Sequence, residues 1–178
     1  HAERFQVLYE ASQTFAEEVG DPERLVTTIA RTCSRLVGDF GSVALVREDR
    51  EWMDQVAVYH PDPDTERPFR EFSMATPARL GEGVMGKILL HDQPLLLQEV
   101  DPNAMAERAP PGYKDVALRL NVCSFVGVPM HARGRVIGGI SMARSSPGRP
   151  YVNADVVFLQ DVADRAALAL ENARLYAN

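Results

Sequence analysis

Two apolar stretches, Val122–Met130 and Val136–Ala143, are joined only by the short polar link His131-Ala132-Arg133-Gly134-Arg135. A link of that length leaves room for a tight turn and no crossover element, so the two stretches are expected to pair as an antiparallel hairpin. Gly134 is free to take the positive φ that such a turn requires. Gly138 and Gly139 leave the second strand thin on one side, which marks the close approach of another element.

The remaining segments follow from periodicity and punctuation. Val43–Val46 is a continuous apolar run, as expected of a central strand, and Arg47–Glu51 is a charged turn. Trp52–Tyr59 reads as the returning strand, with Val56 and Val58 inward. His60–Pro68 carries three prolines (Pro61, Pro63, Pro68) and reads as a loop. Phe69–Met74 then reads as a third, edge-like strand, and Leu95–Leu97 as another. Helices are expected at both ends. Glu3–Glu18 has Phe5, Leu8, Phe15 and Val19 on one stripe. A second helix starts at Asp21-Pro22-Glu23 and is ended by Gly38. A long one covers Tyr151–Tyr176, with Asn153 as its cap and Asp155 in its first turn. Pro102, Pro110, Pro111 and Gly112 forbid one regular helix over Asp101–Asn121, although Tyr113–Leu120 suits a short one. The sum is an α+β chain: about six strands in one antiparallel sheet, flanked by helices, with both terminal helices on one face.

The glycine-rich stretch Gly81–Val100 matches two phosphate-binding patterns and satisfies neither. Gly81-x-Gly83-x-x-Gly86 fits the dinucleotide fingerprint, and Gly81 with Gly86-Lys87 fits a P-loop up to its lysine. Ile88 stands where the P-loop needs a hydroxyl for magnesium. The preceding residues, Met74 to Leu80 with Pro77 among them, do not read as the strand that both patterns require. The glycines are expected instead to allow a tight turn and a helix start against the sheet.

The formal net charge of −6 argues against nucleic acid or an anionic membrane surface as the main partner. No apolar run is long enough to insert in a bilayer. Two well-separated cysteines, Cys33 and Cys123, fit a reducing, cytoplasmic setting and read as small buried hydrophobes.

Ser124-Phe125-Val126-Gly127-Val128-Pro129-Met130, then Gly134, then Val136-Ile137-Gly138-Gly139-Ile140 resembles the paired last strands of a GAF domain. Gly81-Glu82-Gly83-Val84-Met85-Gly86 with Gln93-Pro94 is similar to that family's glycine turn, short helix and following strand. Leu168 to Tyr176 resembles the last helix of bacterial signalling members. The resemblance covers nearly the whole chain, read as one domain over 1–178 with a core at about 20–160 and helical extensions. It implies a small-molecule-sensing module rather than a catalyst, working within a longer bacterial signalling protein (a sensor histidine kinase, a phosphatase or a transcription regulator) and passing its ligand state on through the last helix. The positions it points to are Phe72, Met74, Val84, Met85, Tyr113, Arg119, Cys123, Ser124 and Phe125. The apolar ones among them suit a core equally well, and some members of the family bind nothing.

The resemblance leaves the ligand unknown. Asn121 is the one asparagine near where cyclic-nucleotide members carry theirs, and its lysine and acidic partners are missing, so a cyclic nucleotide is a disfavoured candidate. Covalent bilin would need histidine after its cysteine, and Ser124 follows Cys123. Haem or a metal would need an inward ligand cluster, whereas His1, His60, His91 and His131 are scattered. Free methionine sulfoxide reduction, which the family also includes, needs neighbouring cysteines and remains the enzymatic alternative. A dimerisation spacer with an empty core is a third.

Leu159, Val162, Ala166, Ala169, Ala173 and Tyr176 alternate at three and four steps, the seam of a coiled coil, and predict a homodimer through the last helix. Phe158, Leu168 and Leu175 form a second stripe able to pack back on the sheet. Both ends of the chain fall in helical pattern, as expected of a domain with an output domain in the same polypeptide.

Overall fold

The computed structural model of the chain describes residues 2–18 and 20–177. Val19 and His1 lie outside those residues. Strands β1 (Phe40–Val46) and β2 (Trp52–Tyr59) form one hairpin, and β5 (Ser124–Ala132) and β6 (Arg135–Arg144) form the other. β3 (Ala78–Arg79) and β4 (Leu95–Leu97) sit on the edges. The order is β3-β2-β1-β6-β5-β4, antiparallel at every pairing. Between β5 and β6, Arg133 and Gly134 have φ of 54° and 76°, the two left-handed residues of a hairpin turn whose twist matches that of its strands.

Helices α1 (Ala2–Ala16), α2 (Pro22–Leu36) and α7 (Asn153–Ala177) cover one face of the sheet. Leu8, Phe15, Leu25 and Ile29 meet Val43, Val126, Val128 and Ile140 there, with Leu159, Val162, Ala166 and Leu170 closing the layer. Asp21 caps α2 by accepting the Arg24 N–H, and Pro22 takes the first helical position, as the sequence predicts. Asn153 does not cap α7. The helix begins at Asn153, and the Asp155 carboxylate reaches back to accept the Val152 N–H at 2.9 Å. Asp155 is also paired with Arg4 at 2.8 Å, and the Arg4 guanidinium lies 4.8 Å over the Phe158 ring, which pins α1 beside α7.

The seam expected on α7 is the chain's own core. Leu159, Val162, Ala166 and Ala173 are each 0% exposed, and Ala169 packs against them half-buried. Over a few turns a 3.5-residue seam and a 3.6-residue core stripe fall on the same positions, and here one sheet and two helices need that stripe. Of the expected set only Tyr176 is exposed. Leu168 and Leu175, expected to fold back on the sheet, face solvent, while Phe158 of the same stripe is buried.

The other face carries α3 (Pro63–Ala75), α4 (Gly83–His91), α5 (Pro102–Glu107) and α6 (Lys114–Leu120). α3 corrects two expectations, the loop at His60–Pro68 and the strand at Phe69–Met74. Asp62 accepts the Asp64 N–H and the Thr65 hydroxyl, Pro63 occupies the first helical position, and Asp64 and Glu66 follow in the first turn. These residues are start signals for a helix, which then continues through Pro68. The third strand is instead the two-residue β3.

A β-bulge alters β2. Val43 pairs with Ala57 but the next residue, Ala44, pairs with Gln55, so Val56 is skipped. Val56 and Val58 therefore lie on opposite faces, not one: Val56 packs against the helix-side core and Val58 against Phe40 and Phe69.

The glycines of the central stretch serve the backbone. The Gly81 N–H donates to the Gly86 carbonyl at 2.8 Å, and a Cβ at Gly86 would sit 2.7 Å from the Arg79 carbonyl. Gly138 is the tightest case in β6, since a Cβ there would meet the Ala44 carbonyl at 2.2 Å. Gly138→Ala should cost about 1–3 kcal/mol by overpacking, measured as a lower urea midpoint at unchanged m-value.

Candidate functional site

Between the sheet and α3–α6 lies a cavity of 720 Å³. Strand alternation builds its floor. Phe40 and Ser42 on β1, Phe125 on β5, and Ser141 and Ala143 on β6 point to this side, while Val126, Ile140 and Met142 point to the helix layer. Gln55 joins the floor from β2. Phe69 and Ser73 of α3, Met105 of α5 and Ala117 and Leu120 of α6 form the walls. Glu99, Asp101 and Arg108 are exposed and mark the rim. Asp101 is occupied as the cap of α5, where it accepts from Asn103 and Ala104. The floor itself holds no charged side chain among the described residues.

Of the residues expected at a ligand site, the structure brings Val84, Tyr113 and Phe125 together on this cavity. Phe72 stands behind the wall, its ring stacked on Tyr113 at 4.4 Å between centroids. Burial pushes the Tyr113 phenol up to about 12, against a smaller pull from the Ser73 hydroxyl. Met74 is exposed at the end of α3. Met85 is buried beneath α4, where its sulfur fills the space over Gly139 that a Cβ would need. Arg119 lies on the exposed side of α6. Cys123 borders a separate recess of 460 Å³ with Arg149 and Pro147.

Ser124 faces away from the cavity. Its hydroxyl accepts the Tyr151 N–H at 2.9 Å and donates to the Leu97 carbonyl at 3.3 Å, fastening the approach to α7 onto β4 and β5. The residues that the sequence reading does not single out are Phe40, Gln55 and the Ser42–Ser141 pair of the floor, and Phe69 of the wall. The motif at Ser124 gives the phase of β5, and counting outward from it would have placed Ser141 on the cavity side. The bulge that turns Gln55 inward has no comparable sequence signal.

One polar cluster ties the cavity side to the helix side. His131, at the end of β5, has Nδ1 3.1 Å from Asp164 on α7 and Nε2 2.5 Å from Asp92. Asp92 is the left-handed C-cap of α4, with φ of 52°. Partial burial lowers the His131 pKa, but the two carboxylates together raise it further, so it lies above the ordinary histidine value. Gln160 supports the bridge by donating to Asp164 at 3.0 Å and to the Pro129 carbonyl at 2.8 Å.

A six-stranded antiparallel sheet with three long helices on one face and a roofed cavity on the other defines a mixed α+β domain. The profile of the GAF domain family matches residues 21–170, and the chain belongs to that family. Among solved structures, it is similar over 100% of its length to 98% of the GAF domain from an Acinetobacter phosphoenolpyruvate-protein phosphotransferase, at TM-score 0.74 and 18% identity. It covers 92% of a free methionine-R-sulfoxide reductase from Neisseria meningitidis in complex with its substrate, with 98% of this chain aligned, at TM-score 0.70 and 18% identity. A methyl-accepting chemotaxis protein segment, residues 122 to 287, aligns over 97% of its length and 93% of this chain at TM-score 0.66 and 20% identity. At these identities the likeness is one of fold. No helix among the described residues is long and apolar enough to cross a membrane.

The His131 bridge has a definite sign with pH. A folded pKa raised above the unfolded value gives stability that is complete below the ordinary histidine value of about 6.5 and is lost as pH rises through the folded value. Urea unfolding should therefore show His131→Gln less stable than the parent at about pH 5.5, with the difference shrinking towards about pH 9. A gap that stays constant across that range would remove the charged bridge as its cause.

Proposed function

We propose that this chain is a small-molecule-sensing regulatory domain of a longer signalling protein, which passes the occupancy of its cavity to an output domain through α7. The cavity carries this reading: 720 Å³ lies within the range of ligand sites, and its walls are mostly apolar with a few polar groups. Its roof is built from α5 and α6, of six and seven residues, too short to hold their shape without partners. They pack on each other and α6 on α3, and a ligand would add contacts on their cavity side. α6 leads directly into β5, and the far end of β5 reaches α7 through His131 and Asp164. Occupancy can bias α7 along that route by its differential contacts with the roof. A histidine kinase of a two-component system in the cytoplasm is the first output to look for.

A reductase reading would need neighbouring thiols at the ligand loops. Cys33 is fully buried in the helix layer, with its thiol pushed up to about 12 by burial. Cys123 lies at the separate recess, so no observation on the cavity favours that chemistry.

The same function is served by a homodimer, whose surface differs from the seam that spacing predicts. α1 runs parallel to α7, with Arg4 at Asp155 and Ser12 at Arg165. This pair of adjacent helices carries exposed large apolar side chains, Phe5 at 72%, Val157 at 65% and Leu168 at 63%. Two copies would bury them as a four-helix interface.

Two results test these readings. A metabolite that stabilises the chain in a thermal-shift screen should lose its effect in Ala117→Trp, which fills the cavity from α6, and an undiminished shift in that variant would exclude the cavity as the site. Val157→Glu with Leu168→Glu should give a folded monomer in light scattering. Ala166→Glu should instead cost several kcal/mol by burying an unpaired charge, and lower the melting temperature sharply.

A further inference from the structure

Helix α4 has one end in the cavity wall and the other at the edge of the sheet. Val84, in its first turn, lines the cavity. Its middle rests directly on strand backbone, because Gly127 of β5 lies beneath Ile88, and Gly139 of β6 beneath Met85 and Leu89. Its far end is Asp92, the left-handed C-cap. The pairing of β4 with β5 spans Phe125, Val126 and Gly127 and stops short of His131, which stands at the open end of the strand. From there the imidazole reaches Asp92 with Nε2 at 2.5 Å, and Asp164 of α7 with Nδ1 at 3.1 Å. One ring thus joins the wall helix on one face of the sheet to the helix layer on the other.

This geometry carries a proton requirement. An ionised carboxylate only accepts, and a neutral imidazole has a single N–H, so it can donate to one acid and must turn a lone pair on the other. Only the imidazolium donates to both at once. Loss of its proton therefore breaks one arm of the bridge. Both acids are held in place for the cation. Gln160 donates to Asp164 at 3.0 Å and to the Pro129 carbonyl at 2.8 Å. Asp92 sits at the negative end of the α4 dipole, where a cation is favoured and a bare carboxylate is not. Asp92 from α4 and Asp164 from α7 are the charged groups that face the ring, and its strand partner on β6 is the uncharged Val136. The nearby arginines are engaged elsewhere, Arg133 with Glu171 and Arg165 with Ser12. All three side chains of the bridge are partly open to solvent, so each arm is weak and the bridge shifts a balance instead of locking a state.

We propose that His131 is a proton-operated clasp between α4 and α7, which holds the cavity's wall helix to the helix layer when protonated and releases one of them when neutral. The clasp is a property of the domain without ligand. Its part in signalling rests on the cavity being a ligand site, as proposed above. A ligand that keeps Val84 in place favours the closed clasp, and by linkage proton and ligand then strengthen each other's binding. The clasp is fully closed below the ordinary histidine value of about 6.5 and opens as pH rises through the folded value, which lies higher because the two carboxylates outweigh partial burial.

Amide hydrogen exchange of the 178-residue chain, corrected for the intrinsic pH dependence of exchange, tests this with the proton as the only ligand. Imidazole 15N shifts report the protonation of His131 alongside. In the parent, exchange at residues 88–92 should rise about threefold or more between about pH 6 and about pH 9, with the midpoint of the His131 ring. α3, on the same face but outside the bridge, should change by less. His131→Gln should show at about pH 6 the fast α4 exchange that the parent shows only at about pH 9. His91, exposed beside Asp92, is retained in that variant and controls for its own ring. Asp164→Asn removes a charge on α7 without touching α4, and should move the α4 midpoint and the ring midpoint to lower pH together. Exchange in α4 that ignores the protonation of His131, an α4 midpoint unmoved by Asp164→Asn, or equal rises in α3 and α4 would each overturn the clasp. None of these results bears on the cavity as a ligand site, which the thermal-shift screen tests separately.

Discussion

A sheet has two faces, and each must be covered. This chain covers one tightly and the other loosely, and the rest of the structure depends on that asymmetry. β5 and β6 belong to both sides at once. Their residues Val126, Val128, Ile140 and Met142 are all 0% exposed beneath α1, α2 and α7, whereas the alternating residues Phe125, Gly127, Ser141 and Ala143 are small or partly free on the cavity side. Each large apolar side chain on the tight side contributes on the order of 1.5–3 kcal/mol. The thin strand at Gly138, set against the Ala44 carbonyl, lets β1 and β6 approach closely enough for that layer to close. With stability concentrated on one face, the other can leave 720 Å³ unfilled.

Much of this division was legible in the sequence, and the failures share a cause. The hairpin of β5 and β6, the pairing of β1 with β2, the glycine turn before α4 and the broken helix at Asp101–Asn121 were readable because each is fixed locally, by alternation, glycine or proline. α3 was misread because prolines were counted as loop residues. Pro63 after the Asp62 cap is a helix start, and Pro68 is tolerated within a helix held from both sides by β2 and α6. The α7 seam was misread because spacing gives the width of an apolar stripe and not the identity of what covers it. Val162 and Ala166 would look the same against a second copy of the chain as they do against α1 and α2.

The cavity was half legible. Val84, Tyr113 and Phe125 were found because the resemblance fixes the order of elements around the sheet. Ser124 was placed on the wrong side although its strand was correct, since one residue of phase separates a cavity side chain from one that ties down Tyr151. Gln55 was out of reach for a related reason. A bulge is a property of two paired strands, and nothing in Trp52–Tyr59 alone announces that one residue will be skipped.

The segment between β4 and β5 begins and ends at nearly the same point, because the Val100 N–H donates to the Cys123 carbonyl at 2.9 Å. Everything from Asp101 to Val122, including α5 and α6, is thus a closed excursion hung from one corner of the sheet. The entropy of bringing its ends together is already met by the strands on either side, and it grows only slowly with length. Its inner residues Val116, Leu120 and Val122 pack on Phe40, Val58 and Phe69, on the face of the sheet opposite the helix layer. The cavity is thus walled on one side by a self-closed segment and floored by the sheet, two parts of the chain that meet only through packing.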